Sequence, residues 1–221
     1  MSLTPAQITQ LREAITGYTF PAVYCDFNNG HNKIKAQNMT KVEAVIAGQL
    51  RSQKTIDTKH GLANILYWGY AKIGFGGIRV DRFLRRVSDK QIRAFQDLVS
   101  KNNMPTMMEI KRIKMPEYSG VSFISKILMF LNPNTYCVLD KQIVKLRNPA
   151  CTKILNGLVF KTQIRVTVEN ENVYNGWREE CSEISQKYFQ GRYRVVDIER
   201  GFFNLIQSGH LSKAQAIYND A

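Results

Sequence analysis

Ser122, Ser125 and Lys126 fall at i, i+3 and i+4 in a stretch whose other residues, Val121, Phe123, Ile124 and Ile127 through Leu131, are apolar. On a helical period the three share one face, so two small hydroxyls and an amine sit near the N-terminus of a helix that should otherwise be buried all round. Burial disfavours an ammonium, and the neutral amine is the form of lysine that attacks carbon. Asn132-Pro133 must stop this helix, because the residue before proline is pushed out of the α region. A short extended run, Tyr136 to Leu139, then leads to Asp140, which is placed to cap a following helix over 141–147 and to be carried by the hairpin back toward Lys126. The same residues also admit a purely structural reading, with Lys126 snorkelling to solvent and Asp140 serving only as a cap.

The elements that must position these groups are helices. Thr4 with Gln7, Thr40 with Glu43, Ser88 with Gln91 and Thr106 with Glu109 all have capping-box spacing ahead of apolar stripes. From Gly61 to Ile73, Leu62, Ile65, Leu66 and Ile73 make a core stripe with Tyr67, Trp68 and Tyr70 interleaved, where packing outweighs base stacking. Val80, Phe83, Leu84 and Val87 alternate with Arg79, Arg82, Arg85 and Arg86, a charged face that is either solvated or tracks phosphates. The glycines of GFGGIR, Gly74, Gly76 and Gly77, form neither a dinucleotide fingerprint nor a P-loop and read as a loop. Residues 19–35 hold no sustained period and read as an irregular crossover, whereas 159–168 alternate and suggest a small hairpin or an extended arm. After a loop over 170–175, helices are expected over 177–189, 195–206 and 211–218. The sum is an all-α fold of nine or ten helices with at most a minor β hairpin.

With 31 basic against 18 acidic residues, the formal charge is +13, the footprint of a protein that meets phosphate backbones. An anionic membrane surface is the rival partner, but no apolar run is long enough to span a bilayer. The N-terminus, MSLTPAQITQL, has no apolar core of a signal peptide, and a cytoplasmic location is expected. Cys25, Cys137, Cys151 and Cys181 are too far apart for a metal pair and read as reduced thiols; His31, His60 and His210 are scattered, so no metal is expected. Length allows one large domain or two small ones sharing a cleft.

The order from Met115 to Leu146 is Pro, Gly-Val, a small residue, lysine, an apolar helix, a short loop, and Val-x-Asp opening the next helix. It resembles the helix-hairpin-helix DNA glycosylases, most of all their bacterial oxoguanine-glycosylase-like branch. Arg194 to Phe203, RVVDIERGFF, is similar to a C-terminal helix of that branch. Ser122 stands where the family has the second glycine of its Gly-Val-Gly hairpin, and 14 residues separate Lys126 from Asp140. The resemblance implies a single two-lobed helical domain over 1–221, with the helix-hairpin-helix and catalytic segment at about 106–147. It implies base excision on a flipped modified base in double-stranded DNA, an oxidised purine first, with an associated AP lyase activity where the lysine is the nucleophile. The catalytic lysine falls on Lys126 and the catalytic aspartate on Asp140; Gly120, Val121, Ser122 and Ser125 belong to the DNA-gripping hairpin. Lys111, Arg112, Lys114 and the four arginines 79, 82, 85 and 86 would contact the backbone, while Phe123, Trp68, Asp197 and Phe202 are candidates for the base pocket. No cofactor is implied and a monomer is expected, associated with the nucleoid if the source is bacterial. Two other readings stand beside this one: a non-catalytic helical DNA- or RNA-binding module, and a basic adaptor for acidic protein.

Overall fold

Ten α-helices and one two-stranded antiparallel sheet make up the described residues, 2–74, 76–101 and 104–221 of a computed structural model. In chain order they are α1 (Pro5–Thr16), β1 (Val23–Asp26), β2 (Asn32–Lys35), α2 (Met39–Leu50), α3 (Thr55–Gly69), α4 (Gly76–Arg86), α5 (Asp89–Ser100), α6 (Met107–Arg112), α7 (Val121–Leu131), α8 (Val168–Phe189), α9 (Val195–Gln207) and α10 (Leu211–Asp220). Two compact units result, one of Phe20–Asn132 and one of Met1–Thr19 with Pro133–Ala221. No helix among the described residues is long and apolar enough to cross a membrane.

In the 20–132 unit α3 is central. Its Leu62, Ala63, Ile65 and Leu66 are fully buried, and α2, α4, α5, α7 and β1 pack around it. Asn64, also fully buried, binds both backbone groups of Cys25 (2.7 and 3.1 Å) and so holds β1 against α3. The hairpin corrects the expectation of an irregular crossover over residues 19–35. Val23 and Cys25 face inward while Tyr24 and Asp26 are half-buried, the period of a strand. Its turn closes because Asp26 accepts from Asn28 N (3.0 Å) and Asn29 Nδ2 (2.6 Å), and Gly30 and His31 adopt positive φ. The second expected capping box is also displaced. Asn38, not Thr40, caps α2 by accepting from Lys41 N, and Glu43 is buried. The boxes at Thr4, Ser88 and Thr106 form as expected. Gly76 and Gly77 belong to the first turn of α4 rather than to a loop, Gly74 before them has positive φ, and Phe75 of the same motif lies outside the described residues.

In the other unit α1 lies on α9, where Gly201 permits the approach: a Cβ there would meet Ile15 Cγ1 at 2.7 Å and Leu11 Cδ1 at 2.9 Å. Trp177, Phe202 and Tyr218 pack edge-on and tilted against one another as the aromatic core. Helix α8 begins at Val168, so the loop expected over 170–175 is helical. The cause is Asn170, which is 1% exposed and turned back onto the preceding segment, bonding Val159 N, Val159 O and Arg165 O (2.9, 2.8 and 2.9 Å). Those bonds occupy the 159–166 stretch, which forms neither the expected hairpin nor a long strand.

Candidate active site and nucleic-acid interface

Helix α7 runs from Val121 to Leu131 and buries nearly every residue, the amine-bearing Lys126 included at 6% exposure. Gly120 is its N-cap, with no side chain to offer, and its carbonyl accepts from Ile124 N at 3.2 Å. The polar stripe converges on one residue. Ser122 O accepts from Ser125 Oγ and from Lys126 Nζ (both 3.1 Å), and Ser122 Oγ lies 3.2 Å from the same amine. Phe123, half-buried, has its ring 5.0 Å from Nζ and stacks on Tyr70 at 4.9 Å, with Tyr118 edge-on at 6.2 Å. Burial pushes the Tyr118 phenol well above its usual range, so it remains a donor, and it gives its hydrogen to Leu62 O at 2.5 Å.

Sequence reasoning missed Gly69, at the end of α3. A Cβ built there would stand 2.7 Å from Phe123 Cε1 and 3.4 Å from Lys126 Cδ, so the ring and the lysine stem both rest against a bare backbone. A glycine inside a helical aromatic pattern was the available signal, since such a position usually has a packing reason. Trp68, one residue earlier, is 3% exposed, between Phe20 (4.8 Å) and Phe130 (5.1 Å). Packing is the role this geometry gives it, although its indole N–H has no hydrogen-bond partner among the described residues.

The basic residues of this unit divide into two kinds. Arg79 and Arg82 bind Glu117 at 2.7 and 3.3 Å; the carboxylate is 8% exposed and the arginines 40% and 39%. Glu117 sits at positive φ in the loop between α6 and α7, so the two guanidinium groups anchor that loop to α4 while keeping an outer edge in water. Glu117 was a second residue that sequence reasoning passed over, the lone acid of KRIKMPEYSG. Arg85 and Arg86 on the last turn of α4, and Lys111, Arg112 and Lys114 at the end of α6, are exposed. Gln91 Nε2 steadies the latter group by donating to Ile113 O (3.3 Å) and Lys114 O (2.8 Å).

Asp140 belongs to the other unit. Its Oδ1 accepts from Gln142 N (2.9 Å) and Ile143 N (3.3 Å), and its carbonyl from Val144 N (3.0 Å). It therefore caps a 3-10 turn, Ile143–Leu146, where an α-helix was expected over 141–147. The segment before it is pinned by α8: Tyr174 OH donates to Cys137 O (2.9 Å) and Trp177 Nε1 to Val138 O (3.2 Å). These two buried aromatics set where Asp140 is held, and nothing local in the sequence announces it. Asp197 caps α9 in a pair with Arg194, whose Nε and Nη2 approach it at 2.9 and 2.8 Å, and Arg200 Nη1 is 3.6 Å away. Burial raises the Asp197 pKa, but the bonds and charges of both arginines outweigh it and leave the carboxyl below its usual range. Phe202 is fully buried between Trp177 and Tyr218, each 5.9 Å away. Arg200 lies over the Tyr18 ring at 5.2 Å; burial drives that phenol upward, and the arginine offsets only part of the shift.

Among the described residues no group of three or more His, Cys, Asp or Glu side chains could hold a metal ion, and the four cysteines are free thiols. No protein-family model, no curated protein and no solved structure matches this chain.

Proposed function

We propose that the chain is a base-excision DNA glycosylase acting on a flipped, modified base, an oxidised purine first, with Lys126 as its nucleophile. The observation that carries this reading is the buried amine of α7. It is 6% exposed in an apolar helix and bonded to Ser122 O and Oγ, neutral acceptors that do not require the ammonium. Attack by Nζ on C1′ forms the carbon–nitrogen bond as the glycosidic bond breaks, and the base leaves with the bonding pair and a proton. Opening of the sugar gives a Schiff base, which also permits strand cleavage by elimination. Positive charge builds on the sugar as the bond breaks, and stabilising it is the work assigned to the carboxylate of Asp140. The exposed cations Arg85, Arg86, Lys111, Arg112 and Lys114 suit a phosphate backbone, and the +13 charge favours approach to DNA.

The second reading is a non-catalytic helical nucleic-acid-binding protein. Two engagements favour it: the Lys126 amine bonds the carbonyl of its own helix, and Asp140 caps a turn. Borohydride trapping on duplexes bearing single lesions separates the two. Under the enzyme reading the wild type forms a covalent adduct, Lys126→Gln loses both the adduct and strand nicking, and Asp140→Asn releases base on the order of a hundredfold more slowly. Salt-dependent binding without an adduct or base release on any lesion would leave the binding module standing.

A further inference from the structure

Where α8 ends and α9 begins, the 133–221 part of its unit carries an open recess of about 220 Å³ that neither Lys126 nor Asp140 lines. Its floor is shaped by two successive left-handed residues, Gln190 (φ 58°) and Gly191 (φ 70°). A Cβ on Gly191 would meet Gln186 Nε2 at 2.9 Å, so only glycine lets that amide lie across the turn. Ser182 and Gln186 share one face of α8 at i and i+4, with Asn134 and Tyr193 also lining the space. Two polar groups at the rim are already used, Ser185 Oγ on Tyr193 O (2.5 Å) and the Arg194 guanidinium on Asp197. Three are not: the side chains of Arg192, Gln186 and Ser182 have no hydrogen-bond partner among the described residues.

No aspartate or glutamate lines the recess, so its unspent capacity is a guanidinium fork, an amide and a hydroxyl. That donor set matches the oxygens of a phosphate, which arginine takes two at a time. The volume, about 220 Å³, is below the roughly 300–1,000 Å³ of sites that enclose a whole small molecule, so the recess suits one anionic group of something larger that stays outside. The open mouth and the +13 charge favour a polymer of phosphates over a free ion.

We propose that this recess binds one phosphodiester of a nucleic-acid backbone, through Arg192 with Gln186 and Ser182. The site is independent of base excision and stands or falls without it. The test uses the full chain and a short unmodified duplex, with anisotropy read across a potassium chloride series. Arg192→Gln and Gln186→Glu should each weaken binding roughly tenfold at low salt. Arg192→Gln should also flatten the plot of log affinity against log salt by about one unit, the loss of one phosphate contact. Lys187→Gln, an equal loss of charge just outside the recess, should leave the slope unchanged; an equal flattening in both variants would overturn the site. In a parallel arm, backbone amide resonances of residues 191–194 are followed during titration with the duplex and with inorganic phosphate. Shifts with the duplex that vanish in Arg192→Gln support the proposal. Shifts with inorganic phosphate alone, or with neither probe, refute it. Duplex binding through Arg192 without base excision on any lesion would sink the glycosylase reading and leave this site intact.

Discussion

Replacing Gly69 with alanine adds a single methyl group where the structure has no room for it. The new Cβ would lie 2.7 Å from Phe123 Cε1 and 3.2 Å from Cζ, with Lys126 Cδ at 3.4 Å. Restoring van der Waals contact at about 3.5 Å asks the ring to retreat by roughly 0.8 Å. The ring is half-buried and can turn, but it is stacked on Tyr70 and lies 5.0 Å from the Lys126 amine, so the amine is disturbed with it. Two terms then oppose each other in stability. Alanine in a helix gains about 1 kcal/mol over glycine, and overpacking costs about 1–3 kcal/mol, so the net loss should be no more than about 2 kcal/mol. Chemistry has no such compensation, because a nucleophile displaced by about 1 Å can lose about a hundredfold in rate. The assay is single-turnover base release on a lesion duplex, with thermal melting and unmodified-duplex affinity as controls. The expected signature is a large rate loss with small changes in the two controls. A variant that melts within a degree or two of the wild type and releases base at its rate would show that Gly69 does not position Lys126.

Asp197→Asn should destabilise the 133–221 part of its unit by about 1–2 kcal/mol at neutral pH, through a weakened cap and a lost charge on two arginines. Because the folded carboxyl titrates below its ordinary value, its stabilisation is complete above the unfolded pKa of about 4 and is lost as pH falls through the lower folded one. Denaturant titrations of wild type and variant should therefore converge in acid and separate above about pH 4; a constant gap across that window would refute the linkage. Asn170→Ala breaks three backbone bonds at a 1% exposed site, and a loss of about 2–4 kcal/mol in urea unfolding is expected, with faster proteolysis between residues 159 and 166. Unchanged cleavage in that stretch would mean the segment is held by other contacts.

What could be read from the sequence was what is decided within a turn or two of chain. Thr4, Ser88 and Thr106 announce their helices because cap and partner lie three residues apart. The stripe Ser122, Ser125, Lys126 was legible for the same reason, since its bonds run from i+3 and i+4 to one carbonyl. Even locally, competing signals misled. Asp140 does accept from the turn it precedes, but Pro149 forbids α conformation at Asn148, so a 3-10 turn forms in the short space left. Asn170 is polar enough to suggest loop, and only its partners at Val159 and Arg165 show that it is a helical residue turned backward. Gly69 and Glu117 act on groups that are remote in sequence, 54 residues to Phe123 and 38 to Arg79, and no local pattern encodes such distances. The chemical groups of a candidate site are thus visible in one dimension while the residues that aim them are not. Tyr174 and Trp177 illustrate this most sharply. Each looks like ordinary helix core, yet each spends its one polar hydrogen on the backbone that delivers Asp140. A core aromatic with a polar atom must place that atom somewhere when buried, and where it goes selects which neighbouring segment is fixed.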